Sequence, residues 1–401
     1  MNDMEDFEIV AIDEVDGIFE SPLNEDDKDT PPTHLSASEV AEVARMLQRV
    51  DLSPCTQFLS TGCTLLDLAI ANRLPGGFGA GRMSHIYGKA STSKTVIMSE
   101  ALGSAQRQGG IAYCADAEMT FDFPRAHLFG VDTSNEELWK YMVPTSLEDL
   151  WDKHVADAIK KRKKTDPPGI MGVDSLSALA SLTEILGKLG EATYGTSRPK
   201  IQSEAFRKYY YAANQANLAM VFVDQTRINI NVKFGDKATV SGGEALKFYA
   251  STRIKLSYTG KILNEHKIPV GVEIKAVVVK NKIAPPFREA EFNIIYGHGI
   301  DYNTDIIESA VKANIIQKAG SWYSWKEEKL GQGVSNAMET LEKLPEVLKD
   351  IDEWLKNTGY STINKEIEEA DKLLLEVDVI VEAATVPKKA PKKVAKTTKV
   401  T

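Results

Sequence analysis

A loop that begins at Gly88 has the residue types needed to hold the phosphates of a nucleotide. It follows a short apolar stretch, Met83–Tyr87, and opens a helical pattern, so backbone N–H groups and a helix N-terminus can hold phosphate oxygens. Lys94 can reach the β- and γ-phosphates, and the Thr95 hydroxyl can bind Mg²⁺. The loop consists of Gly88, Lys89, Ala90, Ser91, Thr92, Ser93, Lys94 and Thr95.

One position of this loop departs from the usual pattern. Ser93 stands where a second glycine is expected, and serine fits there only with a negative φ or with strain. An ordinary turn rich in serine and threonine is the alternative to a nucleotide site. Other polar residues that converge on the loop favour the nucleotide site.

Those residues are Glu118, Asp174 and Gln225, each of which comes just after an apolar strand candidate. Because the carboxyl ends of parallel strands share one crevice, we expect the three side chains to meet at the phosphate loop. They would supply a base for an attacking water, a carboxylate that orients Mg²⁺ through water, and an amide that reports the γ-phosphate. Each alone is more often a cap or a surface residue, but their order after a phosphate loop predicts nucleotide hydrolysis. The strand candidates are Gly110–Ala115, Ile170–Val173 and Leu218–Val223.

The segment Asp224–Arg253 begins where the last of these strands ends. Arg227 follows Gln225 closely, then comes a polar loop with three glycines, and then a helical run, Glu244–Tyr249. A polar residue at the end of a buried strand, followed by a basic loop, is typical of a sensor that joins one ligand to another.

The wider pattern predicts an α/β protein with a mostly parallel, twisted sheet. Strand, glycine-rich turn and helix repeat from about Ser60 to Ile295. Two later strand candidates, Arg253–Ser257 and Val272–Val279, have few helical residues between them, which predicts an antiparallel extension. A smaller α/β module runs from Ile300 to Leu355. The predicted domains are an acidic disordered arm (1–34), a helix (35–55), the core (56–298), the small domain (299–356) and a charged tail (357–401).

Charge is concentrated at the two ends of the chain. Residues 1–30 contain twelve acidic residues and one lysine, and because the whole chain carries −9, the remainder carries +2. Six lysines between Lys388 and Lys399 form a basic tail. Both ends are either solvated disordered segments, or the tail contacts nucleic-acid phosphates and the acidic arm competes for the same site. No apolar run is long enough to span a bilayer, and three cysteines without metal-ligand spacing favour a reducing cytoplasm.

The chain closely resembles the bacterial RecA recombinase family from about Ser60 to Trp354. The resemblance implies a P-loop NTPase with a RecA-like core and a small α/β C-terminal domain. It also implies that the helical pattern ending near Val50 docks on a neighbouring protomer, although this helix could pack on its own core. The matching motifs are Ser60-Thr61-Gly62, Asp116-Ala117-Glu118, Val173-Asp174-Ser175, the ungapped block Asp224–Arg253, Lys280–Ala284 and Gly331-Gln332-Gly333.

The resemblance also assigns roles around the nucleotide. Glu118 would be the catalytic base, and Gln225 would sense the γ-phosphate. Arg125 stands where the family often has an aromatic ring that stacks on adenine, and a guanidinium can stack as well.

Three further residues are expected to act between protomers. Lys280 and Lys282 would reach ATP bound by the neighbouring protomer, although an exposed strand edge would also explain two lysines. Phe248 would carry the signal across the interface.

Two loops are expected to bind DNA. Arg227 and the loop glycine amides suit phosphates, and Ile230 matches an apolar residue that wedges between base triplets, with simple loop packing as the alternative. A first loop near Leu186–Ile201 lacks the usual methionine wedge. The predicted DNA-binding residues are Ser203, Arg207, Arg227, Ile230, Phe234, Gly242 and Gly243.

The resemblance as a whole implies a recombinase that uses ATP and Mg²⁺. It would form filaments on single-stranded DNA and pair that strand with homologous double-stranded DNA, with single-strand-binding and loader proteins as further partners. Two alternatives stay open. One is a hexameric motor with the same core, and the other is a nucleotide-binding filament that hydrolyses ATP poorly.

Overall fold

The computed structural model describes residues 55–188, 197–228, 238–240 and 243–357. It divides into two compact units at Asp305. The first unit takes the chain up to Ala71 and Pro75–Asp305, and the second takes Asn72–Leu74 and the chain from Ile306 onward. This division lies a few residues beyond residue 298, where the sequence predicts the core to end. The predicted acidic arm, most of the N-terminal helix and the charged tail lie outside the described residues.

The first unit alternates strands and helices, as its sequence pattern predicts. Its strands are β1 (Phe58–Leu59), β2 (Phe78–Gly79), β3 (Met83–Gly88), β4 (Ala112–Asp116), β5 (Trp139–Met142), β6 (Gly169–Asp174), β7 (Leu218–Ile228), β8 (Ala238–Val240), β9 (Thr252–Leu263), β10 (Pro269–Asn281), β11 (Glu289–Ile295) and β12 (Gly299–Ile300). Its α-helices are α1 (Thr64–Ala71), α2 (Lys94–Arg107), α3 (Ala156–Lys160), α4 (Leu182–Leu186), α5 (Ser197–Gln215) and α6 (Gly243–Tyr249). Short 3₁₀ segments span Phe123–Phe129 and Leu176–Ala178, and a π-helical turn spans Asp149–Val155.

One large sheet organises this unit. Its strands lie in the order β12-β11-β10-β9-β3-β7-β6-β4-β5, and β8 pairs with the end of β7. The pairs from β9 through β5 are parallel, and those from β9 through β12 are antiparallel. The predicted fold class, a mostly parallel α/β sheet with an antiparallel extension, is therefore confirmed.

Strand β7 runs through the middle of this sheet and presents different residues to its two faces. Phe222 packs against Phe206 of α5 at a ring distance of 5.4 Å and against Trp151 at 5.9 Å. Side chains alternate along a strand, so Asp224 shares this helix-covered face and Gln225 lies on the other. The buried apolar residues of β7 explain why it forms a central strand.

The Ser60-Thr61-Gly62 loop is held by a buried carboxylate of α1. Asp67 accepts hydrogen bonds from the Thr61 amide at 2.8 Å, the Thr61 hydroxyl at 2.6 Å and the Ser60 hydroxyl at 2.5 Å. Burial raises the pKa of Asp67 to about 7, although the three hydrogen bonds act in the opposite direction. The folded loop therefore keeps a proton that an exposed aspartate has already lost.

We expect Asp67 to make the free energy of unfolding fall as pH rises between 3.8 and about 7. The folded state binds the extra proton in this window, so the stability linked to it is complete below the window and is lost above it. Urea unfolding of the wild type and Asp67→Asn at pH 5 and pH 8 tests this. The stability of the wild type relative to the variant should be lower at pH 8, and an unchanged difference would contradict the assignment.

The second unit is a small α/β module, as predicted. It contains most of α7 (Tyr302–Lys312), a three-stranded antiparallel sheet and two more helices. The buried Tyr323 donates its hydroxyl to Glu308 at 3.1 Å, which ties the sheet to α7. Within the described residues, no helix of either unit is long and apolar enough to cross a membrane. The remaining elements of the second unit are β13 (Ile316–Ala319), β14 (Trp322–Trp325), β15 (Glu328–Gln332), α8 (Val334–Glu342) and α9 (Pro345–Asn357).

Candidate active site

The strand register brings the predicted nucleotide-site residues to one edge of the sheet. Gly88, the last residue of β3, pairs with Gln225 of β7. Asp174, the last residue of β6, pairs with Asp116 of β4, and Glu118 follows two residues later. The phosphate loop and the two acids thus lie at the carboxyl ends of β3, β6 and β4, where α/β sheets bind ligands. Gln225 is level with them but lies inside β7, which continues to Ile228 and does not end before Gln225 as predicted.

Lys94 occupies the base of the phosphate loop. Its ammonium group donates to the carbonyl oxygens of Lys89 at 2.8 Å and Gly88 at 3.4 Å. Burial lowers the pKa of Lys94, while the carboxylates of Asp174 and Glu118 act to raise it. The charge is thus held inside the loop by the loop carbonyls, with two acids near enough to act on it, where it can bind phosphate oxygens.

Thr95 and Asp174 form the part of the site that fits Mg²⁺. The Thr95 hydroxyl donates to Asp174 Oδ2 at 2.6 Å. Burial raises the pKa of Asp174 to about 6, and nearby Glu118 also acts to raise it. A hydroxyl and a buried carboxylate whose negative charge is costly are hard oxygen donors suited to Mg²⁺ bound jointly with phosphates. The described residues contain no cluster of three or more His, Cys, Asp or Glu side chains that could hold a metal. Mg²⁺ in nucleotide sites commonly keeps waters and phosphate oxygens as its other ligands.

Glu118 is fixed by the strand beside it. Its Oε1 accepts from the Ser175 hydroxyl at 2.7 Å, and its amide donates to the Asp174 carbonyl at 3.2 Å. Asp116 is buried and accepts from the Phe121 amide at 2.8 Å, so it supports the turn that carries Glu118. A half-buried carboxylate with one hydroxyl donor keeps lone pairs free to accept a proton from water.

Comparison with known protein families agrees with this geometry. Residues 43–301 match the RecA N-terminal domain, and residues 304–358 match the RecA C-terminal domain. The two matches cover most of the chain.

The chain belongs to the RecA family.

Membership makes the first unit a P-loop domain of the ATPase type. At the level of the family, membership also indicates a role in recombination and repair, together with nucleotide binding and DNA binding. The resemblance read from the sequence is thus confirmed, and the remaining residues of the site can be examined against this family.

Ser93, where this chain departs from the family pattern, has a left-handed backbone. Its φ is 58° and its ψ is 29°, and its side chain makes no capping hydrogen bond. The expectation of strain is met, and the alternative of a negative φ is not. A side chain in this region costs on the order of 1 kcal/mol relative to glycine.

Replacing Ser93 with glycine should therefore raise the free energy of unfolding by about 1 kcal/mol. Ser93→Ala is the matched control, because it removes the hydroxyl and keeps the Cβ that causes the strain. Denaturant unfolding of both variants without nucleotide is the measurement. Equal stability of Ser93→Gly and Ser93→Ala would show that the Cβ is not the cause.

Arg125 lies on the surface at the 3₁₀ segment that follows β4. Its side chain is 61% exposed, and its Nε lies 3.4 Å from Asp122. The exposed ring of Phe123 lies two residues away and packs edge-on against Tyr141 at 4.8 Å. The contact with Asp122 would orient the guanidinium before an adenine stacked on it, as the sequence predicts for Arg125.

Lys280 lies near the end of β10, and Lys282 follows that strand. Pairing of β10 with β9 continues to Asn281, whereas its pairing with β11 ends at Val277, so at Lys280 the strand is paired on one side and the strand-edge explanation stays open. The Lys280 ammonium donates to the Lys247 and Phe248 carbonyls, at 2.7 and 2.8 Å, and caps the C-terminus of α6. Lys282 lies 5.9 Å from the ring of Phe248, which is 70% exposed.

The predicted DNA-binding residues are only partly described. Arg207 is exposed on α5, whereas the Ser203 hydroxyl on the same helix donates to the Pro199 carbonyl at 2.7 Å. Arg227 lies in β7, and Gly243 is the first residue of α6. The remaining three, Ile230, Phe234 and Gly242, lie outside the described residues.

The motifs did not reveal a second polar group behind the nucleotide site. His85 of β3 lies 3.2 Å from Asp224 through its Nε2, and both side chains are almost completely buried. On its other side, His85 Nδ1 accepts from Arg253 Nε at 3.4 Å. A histidine within an apolar strand was the only available signal, and it acquires meaning only when β3, β7 and β9 are known to be neighbours.

Proposed function

We propose that this RecA-family protein is a DNA-dependent ATPase that forms filaments on single-stranded DNA and catalyses homologous pairing and strand exchange. The observation that carries the proposal is the path of β7. It places Gln225 beside Gly88 of the phosphate loop and continues to Arg227 and the segment that ends at α6. One strand therefore joins the candidate γ-phosphate sensor to the candidate DNA-binding loop.

In this proposal, each described residue has a defined task. Lys94 neutralises charge on the β- and γ-phosphates, Thr95 and Asp174 hold Mg²⁺, and Glu118 orients a water and accepts its proton. Mg²⁺ supplies further charge neutralisation when it is bound. Gln225 reports whether the γ-phosphate is present. Positioning and charge stabilisation of this kind are what phosphoryl transfer requires.

The neighbouring protomer completes the site through Lys280, Lys282 and Phe248. An exposed aromatic ring beside two ammonium groups is a suitable contact for another copy of the chain. ATP would then stiffen the filament and order the DNA loops, and hydrolysis would release them. Three free cysteines favour the cytoplasm as the compartment.

The test is phosphate release with and without single-stranded DNA, followed by strand exchange with a homologous duplex. Strong stimulation by DNA supports the proposal. DNA binding without stimulated hydrolysis would instead favour a passive nucleotide-binding filament, with Ser93 as the suspected cause. Rings rather than filaments in electron micrographs would favour a hexameric motor.

Deletion of residues 1–30 should speed filament nucleation on duplex DNA. The segment carries a net charge of −11, so it can compete with DNA phosphates for basic surface. Nucleation is measured as the lag before ATP turnover on duplex DNA, and a version with the twelve acids changed to their amides separates charge from length. An unchanged lag in both would contradict a restraining role.

A further inference from the structure

A continuous polar chain runs from the candidate base, Glu118, to Arg253 of β9, the strand that pairs with β10. Glu118 Oε1 accepts a hydrogen bond from Ser175 Oγ at 2.7 Å, and Ser175 Oγ lies 2.8 Å from Ser177 Oγ. The Ser177 amide donates to Asp224 at 3.2 Å. Asp224 lies next to His85 Nε2, and His85 Nδ1 accepts a hydrogen bond from Arg253, as described above. We call this set the polar chain, and its members are Glu118, Ser175, Ser177, Asp224, His85 and Arg253.

The far end of the polar chain reaches α6. Arg253 of β9 pairs in register with Lys280 of β10, the residue that caps the last carbonyls of α6. The guanidinium of Arg253 also lies 4.8 Å from the centre of the Tyr87 ring. Helix α6 packs on α5 and on β3, the strand that carries His85.

The protonation of His85 follows from its two neighbours. Arg253 can only donate, so Nδ1 must accept and the imidazole proton sits on Nε2, facing Asp224. His85 Nε2 and Asp224 Oδ2 lie 3.2 Å apart, yet neither atom has a hydrogen-bond partner within the described residues, so the pair is incompletely satisfied. Burial lowers the pKa of His85, and the surrounding charges are those of Asp224, Arg253 and Lys247. A neutral imidazole thus separates a buried carboxylate from a guanidinium.

Buried polar groups held this loosely are costly, and a small movement of α6 or β9 would change their contacts. Asp224 and Gln225 are adjacent in β7 and point to opposite faces, so a shift at Asp224 moves the sensor as well. Since Ser177 and Ser175 continue to Glu118, the same shift reaches the candidate base. A packing role alone does not explain these buried polar residues, because apolar residues of similar volume would fill the same positions with a smaller desolvation penalty.

We propose that His85 and Asp224 are positioning residues that couple the state of α6 to the placement of Glu118 and Gln225. This inference rests on the proposed function and adds its regulation. It requires no proton transfer along the polar chain. The pair transmits position, so DNA bound at the loop before α6 and ATP bound at the phosphate loop favour the same arrangement.

Four single variants and one double variant test the inference on the full-length protein. His85→Leu should lower kcat of DNA-stimulated hydrolysis about 10-fold and change nucleotide affinity less than about 2-fold. His85→Gln keeps one donor and one acceptor and should restore most of kcat. Ser177→Ala breaks the link to Ser175, so its effect and that of His85→Leu should be less than additive. Ser84→Ala is the matched control, since this buried hydroxyl on β3 makes no hydrogen bond within the described residues.

Additive losses, or a His85→Leu variant that unfolds more easily but keeps the wild-type kcat, would overturn the inference and leave the pair a packing role. A second measurement is independent of hydrolysis: amide hydrogen exchange of α6 with and without a slowly hydrolysed ATP analogue. Nucleotide should protect α6 in the wild type and in His85→Gln, and not in His85→Leu. Equal protection in all three, or none in the wild type, also overturns it. DNA stimulation of the wild type reports separately on the proposed function.

Discussion

Replacing Glu118 with glutamine is expected to lower ATP turnover by about 10²- to 10⁴-fold, the usual contribution of a general base. Glutamine has the same shape and can keep the hydrogen bond from Ser175, but its amide cannot take a proton from water. Nucleotide binding should persist because Lys94, Thr95 and the loop amides are untouched. Phosphate release and equilibrium binding of a fluorescent ATP analogue, each with and without single-stranded DNA, measure the two effects.

The matched control is Glu137→Gln, which makes the same change at an exposed position outside the site. It should leave turnover unchanged. If Glu118→Gln hydrolysed ATP within about threefold of the wild type, the loss would be far below that of a general base, and another group would have to activate the water.

Replacing Phe248 with alanine is expected to weaken protomer association by about 2 kcal/mol, or roughly 30-fold. Its ring is 70% exposed in the single chain, so removing it should cost the folded protomer little. A large effect on assembly with a small effect on unfolding identifies an interface residue. Filament formation by light scattering and unfolding in urea measure the two quantities.

Tyr258→Ala is the matched control for Phe248→Ala. Tyr258 is an exposed aromatic of β9, 46% accessible, and lies away from α6 in the antiparallel part of the sheet. Its loss should leave assembly intact. Normal assembly of Phe248→Ala would contradict the interface role, and unfolding weakened to the same extent as assembly would show that the ring supports the protomer itself.

Sequence patterns were sufficient to predict the sheet and the edge of it at which the candidate nucleotide-site residues converge. The apolar run Leu218–Val223 predicted the central strand, although β7 extends beyond it to Ile228 because its pairing with β8 continues the ladder. The positions of Asp174 and Gln225 at strand ends predicted their convergence. A parallel sheet aligns those ends, so knowledge of the strand order was not required.

Contacts that depend on strand order were beyond the sequence. The pairing of His85 with Asp224 needs β3 and β7 to be neighbours, and the capping of α6 by Lys280 needs β9 to bring β10 beside it. The φ of Ser93 was also open, because the residue type permits two conformations and the geometry of the loop decides between them. Local patterns carry periodicity and termini, whereas cross-strand partners emerge only from the assembled sheet.

The alternation of β7 also limits how this protein can change. The side chains of the adjacent residues Asp224 and Gln225 lie on opposite faces of the sheet, and each can act only on the groups that lie on its own face. One inserted or deleted residue between Leu218 and Gln225 would exchange the two sides, placing the acid at the phosphates and the amide among the helices. The strand therefore tolerates substitution far better than a change in length, and a single-codon deletion there should silence both ligand sites at once.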